Sequence, residues 1–319
     1  MLNSQRIFVD AVKRYCALNG ITVAIKSQGW LIVMQRGARR HFAFGYDIGL
    51  NSAMAHRIAN DKSATADVLE VAGVPCIPHH LFLNPELNEY IPAVGSWEAM
   101  LRLLAGHPRG IVVKPNEGTA GRSVFMVSTK PALELAVKRI FSLNVSLAIS
   151  PYVEIEDEVR VVLIDLVPIV VYSKSRPSVV GDGKHSLLEL AIAALAVERR
   201  SAVLSAMVGD LDKTDLDAVP PPGQRRYLNW RHNLDSGAQP VVLEPGAVRD
   251  ACVQMAARAA EAIGIRFGSI DLVKVGDSWR ILEVNSGVMM ESLSKLHPDL
   301  VYAAYSTALD KIFGSADAA

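Results

Sequence analysis

Residues 269–285 read SIDLVKVGDSWRILEVN, two apolar runs joined by a Gly-Asp-Ser turn. Alternation within each run predicts a β-hairpin whose side chains leave the two faces in turn. Glu283 and Asn285 stand two apart and so share a face. With Gly276–Asp277–Ser278 as a three-residue turn, Val275 pairs with Trp279, and counting back sets Asp271 opposite Glu283. Directly opposed residues hold their Cβ atoms about 5 Å apart. Asp271, Glu283 and Asn285 therefore converge as oxygen donors among Ile270, Leu272, Ile281, Leu282 and Val284. Two carboxylates that close, in apolar surroundings, repel unless a cation lies between them. An all-oxygen set suits Mg²⁺ or Mn²⁺ rather than zinc. A solvated polar face on an edge hairpin is the competing reading.

Upstream, IVVKPNEGTAGRSVFMV (111–127) sets Lys114 at the end of an apolar strand, ahead of Gly118 and Gly121. A small-residue loop exposes backbone N–H groups, and with an adjacent lysine it suits phosphate oxygens. It is neither a Walker loop nor a dinucleotide fingerprint, and a plain hairpin turn beside a surface lysine competes with it. Residues 4–19 and DKSATADVLEVA (61–72) read as helices stopped by glycine. Thr129 and Pro131 open another, and SLLELAIAALAVERRSAVLSAM (186–207) reads as one long Ala/Leu helix. ITVAIK, WLIVMQ, HFAFGY, VRVVLID and LVPIVVYSK read as strands. The class is α/β or α+β with mixed sheets.

The chain has 319 residues, half of them hydrophobic, enough for two or three packed domains. Lys+Arg 33 against Asp+Glu 33 leaves no net charge, which argues against a general nucleic-acid binder. Three scattered cysteines form no CxxC pair and point to a reducing cytoplasm. No apolar run reaches the roughly 20 residues of a membrane span, and charges interrupt the N-terminus where a signal peptide would be apolar. A soluble cytoplasmic protein is expected, without nucleic-acid or membrane partners.

Taken in order, NDKSATADVLEVAGVPCIP, VVKPNEGTAGRSV, YVEIEDEVRVVLID, SRPSVVGDGKHS, RHNLDSGA and SIDLV…RILEVNSG resemble the ATP-grasp superfamily. The likeness covers most of the chain. VVGDGKH and EVRVVLID look most like the ligase domain of cyanophycin synthetase; RHNLDSGA and EVN are also similar to glutathione synthetase-type peptide ligases. The resemblance implies a three-domain ATP-grasp architecture: residues 1–75, a lid domain 76–153, and a metal-bearing domain 154–319, with nucleotide held between the latter two. It gives Lys62 and Lys114 to the ATP phosphates and adenine edge. Gly118, Thr119, Gly121 and Ser123 belong to the loop over the triphosphate. The hinge at Pro151–Val153 lies against adenine, and Glu158 binds ribose. Arg231 stands near the γ-phosphate, Lys174 and Arg176 hold the acyl donor or developing phosphate charge, and Asp271, Glu283 and Asn285 bind magnesium. The sequence departs from the pattern at Ser123, at Ser150 and in the SGVMMESL that follows Asn285.

The implied chemistry is ATP-dependent carboxylate–amine ligation through an acyl phosphate, releasing ADP. The implied substrates are small, an amino acid or short peptide among them, and homodimers are common in similar ligases. A small-molecule kinase and a catalytically weak nucleotide-binding regulator are the alternatives. No cysteine or GxSxG elbow offers a nucleophile. Cys76 and the Met289–Met290 pair read as packing residues. His79, His80 and His185 read as surface or structural residues. Asp271→Ala or Glu283→Ala is expected to stop turnover and spare the fold.

Overall fold

The computed structural model describes residues 6–86, 96–118, 123–210 and 216–314. It divides into two compact units, Met1–Val171 with Glu244–Ala319, and Tyr172–Leu243. In the first unit, helix α1 (Ile7–Leu18) precedes an antiparallel sheet of β1 (Thr22–Lys26), β2 (Leu31–Arg36) and β3 (Arg39–Phe44). Helices α2 (Ala53–Asn60) and α3 (Lys62–Val71) follow. Their N-caps are Ser52 and Asp61, whose side-chain oxygens accept from Ala55 N–H at 3.1 Å and Ala64 N–H at 2.8 Å.

Next come β4 (His80–Leu83), α4 (Ser96–Gly106), β5 (Ile111–Pro115), β6 (Phe125–Val127), α5 (Lys130–Phe141) and β7 (Ser146–Pro151). The four strands form an antiparallel sheet in the order β4-β7-β5-β6. Apolar residues of β5 and β7, among them Ile111, Val113, Leu147 and Ile149, pack on Met100 of α4 and on Leu133, Ala136 and Ile140 of α5. Strand β8 (Asp157–Ile164) leads into β9 (Val167–Ser175), which carries the chain into the second unit.

There, β10 (Ser178–Val180), α6 (Leu187–Ala194), α7 (Val197–Asp210) and β11 (Arg225–Tyr227) surround a core of Val179, Leu187, Ala191, Leu195, Val203, Met207 and Leu228, and β12 (Gln239–Val242) pairs antiparallel with β9. The single long helix expected over 186–207 is two helices, because Leu195 leaves helical geometry at φ −86°, ψ 132°. On one straight helix, Met207 would point roughly 200° away from Leu187. The break resets the phase and lets both reach one core. Gly181 explains the tight turn after β10: an added Cβ would lie 2.3 Å from the Pro221 carbonyl oxygen.

The first unit resumes with α8 (Ala247–Ile263), ended by Gly264 at φ +82°. Strands β13 (Phe267–Val275) and β14 (Ser278–Asn285) and helix α9 (Pro298–Phe313) complete it. β13 pairs antiparallel with β8 on one side and β14 on the other. Among the described residues the one parallel pairing is an isolated bridge, Cys76 with Ile281. The class is therefore α+β, built on antiparallel sheets.

The hairpin register differs from expectation in two places that cancel. The turn has two residues, Gly276 and Asp277, so Val275 pairs with Ser278. A bulge between Asp271 and Leu272 then skips Leu282, and Asp271 meets Glu283 after all.

Candidate functional site

The site grows from the first turn of α3. Asp61 caps the helix and so holds Lys62 at its start, 9% exposed. The Lys62 ammonium donates to the Gly118 carbonyl at 2.9 Å and the Asn116 carbonyl at 3.3 Å. Asn116 Oδ1 accepts from Ser63 N–H at 3.1 Å, which ties the loop after β5 to the same helix end. Glu283 Oε1 lies 3.6 Å from the Lys62 ammonium.

Lys114, near the end of β5, is buried as well. Burial lowers its pKa to about 8; Glu283 and Glu158 oppose the shift and the neighbouring Lys62 charge adds to it. His79 joins them from the segment before β4. Burial, then the charges of Lys114 and Lys62, hold its pKa well below the usual imidazole range, so the ring is neutral. Its Nε2 finds no partner among the described residues, and the ring lines a small cleft with Lys62, Thr65 and Glu283. His80 is exposed. The pair thus splits, and the expectation of a surface residue fails for His79 because an extended segment sends neighbours to opposite sides.

On the facing sheet, Asp271 is 2% exposed and accepts from Arg160 of β8 twice, Nε at 2.7 Å and Nη2 at 2.6 Å. Arg160 was absent from the expected site, although it shares a strand face with Glu158, two residues before it. Its place opposite Asp271 in the β8–β13 ladder explains the pairing. Asp271→Ala would leave the half-buried Arg160 guanidinium without this carboxylate, so the change reaches the fold as well as the site. Glu158 is buried, and Asn285 pairs with Ser269 while its buried Nδ2 lacks a partner among the described residues.

Lys62, Lys114, Glu158, Asp271, Glu283 and Asn285 thus lie in one unit. Pro151 ends β7, and Val153 is half-buried just beyond. Gly118 contributes its carbonyl to Lys62. Ser123 takes the left-handed φ of +54° that glycine adopts freely. Thr119 and Gly121 lie outside the described residues. Lys174, Arg176 and Arg231 belong to the second unit. There the Lys174 carbonyl lies 2.8 Å from His232 Nδ1, and Asn229 Oδ1 accepts from Arg231 N–H at 2.9 Å. His185 is exposed, with Nδ1 2.6 Å from Asp182. Of the methionine pair, Met290 is buried and Met289 is 39% exposed.

By type, two opposed carboxylates and one amide oxygen fit a hard divalent cation, and Arg160 holds both Asp271 oxygens in its place. Among the described residues, no three His, Cys, Asp or Glu side chains gather to hold a metal by themselves. No helix among the described residues is long and apolar enough to cross a membrane.

No protein-family model matches the chain, and no curated protein matches it by sequence. Among solved structures, it is similar to a bifunctional glutathione synthetase from Pasteurella multocida, at 17% identity and TM-score 0.51. That match covers 94% of this chain but 44% of the other, so the chain spans under half of that protein. It is also similar to D-alanine–D-alanine ligase from Bacillus anthracis, at 16% identity and TM-score 0.53, over 83% of this chain and 69% of that one. The same ligase complexed with ATP matches at TM-score 0.51. These likenesses establish the fold, which the chain shares with both ligases.

Proposed function

We propose that this chain is an ATP-dependent carboxylate–amine ligase that forms a peptide-like amide through an acyl phosphate, releasing ADP and phosphate. One observation carries the reading: two buried lysines from separate elements, Lys62 and Lys114, stand together against Glu283 and Glu158. Like charges are costly to hold together out of water. A site that does so is suited to a ligand bearing several negative charges. The acids that neutralise the lysines meanwhile include a residue of the oxygen cluster.

In this reading, phosphates replace Glu283 beside the lysines. Asp271, Glu283 and Asn285 would hold Mg²⁺ or Mn²⁺, which supplies neutralisation of phosphate charge when bound. Lys62 and Lys114 fix the triphosphate, the Gly118–Ser123 loop excludes water, Pro151–Val153 meet adenine and Glu158 takes the ribose. Arg231 steadies the γ-phosphate, while Lys174 and Arg176 hold the acid. Water exclusion matters because water destroys an acyl phosphate. Residues 1–75 select substrate, 76–153 form the lid and 154–319 carry the cation ligands.

The test is nucleotide analysis over paired acids and amines, with ¹⁸O in the acid carboxylate. ADP formed only when both are present, with label passing into free phosphate, is the expected result. AMP with pyrophosphate, or a stable phosphorylated product, overturns the reading.

A further inference from the structure

The second unit contains a stretch of chain rich in basic residues. Residues 172–181 and 218–234 contain Lys174, Arg176, Arg225, Arg226 and Arg231 and no acid, in a chain whose charges balance overall. Part of this chain folds into the β10–β11 ribbon, where Ser178 pairs with Tyr227 and Val180 with Arg225. One ribbon face sets buried Val179 into the core. Alternation sends Ser178, Val180, Arg225 and Tyr227 to the other face. Arg225 is exposed there, and so are Tyr227 at 47% and Val180 at 53%.

Arg176 leads into this ribbon. Its guanidinium carbon sits 3.9 Å from the Tyr227 ring centroid. Its Nε is buried and meets no acceptor among the described residues. Stacking occupies the face of a guanidinium and leaves its edge N–H groups in one plane, the geometry that grips a carboxylate. Arg225 stands two residues beyond Tyr227, about 7 Å along the strand. The nearest acid in sequence after β10, Asp182, is engaged with its own turn, accepting from the Lys184 and His185 N–H groups at 2.9 Å.

We propose that this face binds a small dicarboxylate, one carboxylate on Arg176 and the other on Arg225, with Tyr227 as the positioning residue that holds Arg176. The ligase reading enters only in identifying this ligand as the acid to be ligated.

Calorimetric titration of the whole chain with succinate, with and without ATP, tests it, using monomethyl succinate as the single-charge control. Succinate is expected to bind about tenfold tighter than its monoester. Arg225→Met should erase that preference. Tyr227→Ala should weaken succinate about tenfold, and Tyr227→Phe should restore it, since the ring and not the hydroxyl does the stacking. Unchanged binding in Tyr227→Ala, or a preference that survives Arg225→Met, overturns the proposal. Succinate binding without ADP formation in any acid–amine pairing sinks the ligase reading and leaves this site. ADP formation without saturable succinate binding does the reverse.

Discussion

Two charged regions of this protein solve opposite problems. Around α3 and the β13–β14 hairpin, Lys62, Lys114, Glu158 and Asp271 are withdrawn from water, with Arg160 and Glu283 half-buried beside them. On the β10–β11 ribbon, Arg225 and Arg226 stand exposed, with no acid in the neighbouring sequence. Buried charge must be answered inside the fold, because desolvation costs several kcal/mol per ion. Exposed charge is answered by water. A ligand at the buried site must therefore exchange with existing partners, whereas one at the ribbon has only water to displace.

The largest effect that could break this contrast is at Asp271. Asp271→Ala should lower stability by about 3–5 kcal/mol in urea unfolding, and Asp271→Ala with Arg160→Met should recover much of it. A loss below about 1 kcal/mol would mean that the pair is not effectively buried. Glu283→Gln comes next. Turnover should fall about 10²- to 10³-fold while the unfolding midpoint stays close to wild type, since this side chain is 27% exposed.

The pH profile sharpens the comparison. Lys114 loses its proton near pH 8, so ATP affinity should be level below that point and fall about tenfold per unit above it. Stability should move the other way. The folded pKa is the depressed one, so between about 8 and the ordinary 10.5 the unfolded chain binds more protons and stability rises with pH. Opposite slopes in one sample would identify Lys114. The smallest effect belongs to the ribbon, where Arg225→Met should change stability by less than about 0.5 kcal/mol.

Much of the fold was legible because short elements announced their ends. Thr129 stands before α5 as the sequence placed it, and the helix read over 61–72 is α3, with its first residue, Asp61, as the cap. The 186–207 segment was misread because its apolar residues are dense enough to fit one helix or two, and only the shared core decides. At the site, Asp271 opposite Glu283 was reached through a miscounted turn, which the bulge at Leu282 compensated. No local signal marks that bulge. Arg160 and His79 were missed for one reason: their roles depend on partners 111 residues away in one case and on surrounding lysines in the other.

The stretch between α3 and β4 has a mechanical consequence. Pro75 O accepts from Ile281 N–H at 2.9 Å, and Ile77 N–H donates to Ile281 O at 2.8 Å, so the tail of α3 is stitched to the strand bearing Glu283. Lys62 heads that helix, and its ammonium faces Glu283 across 3.6 Å. Helix, stitch, strand and ion pair close a ring. Such a ring braces Lys62 and Glu283 through backbone as well as charge.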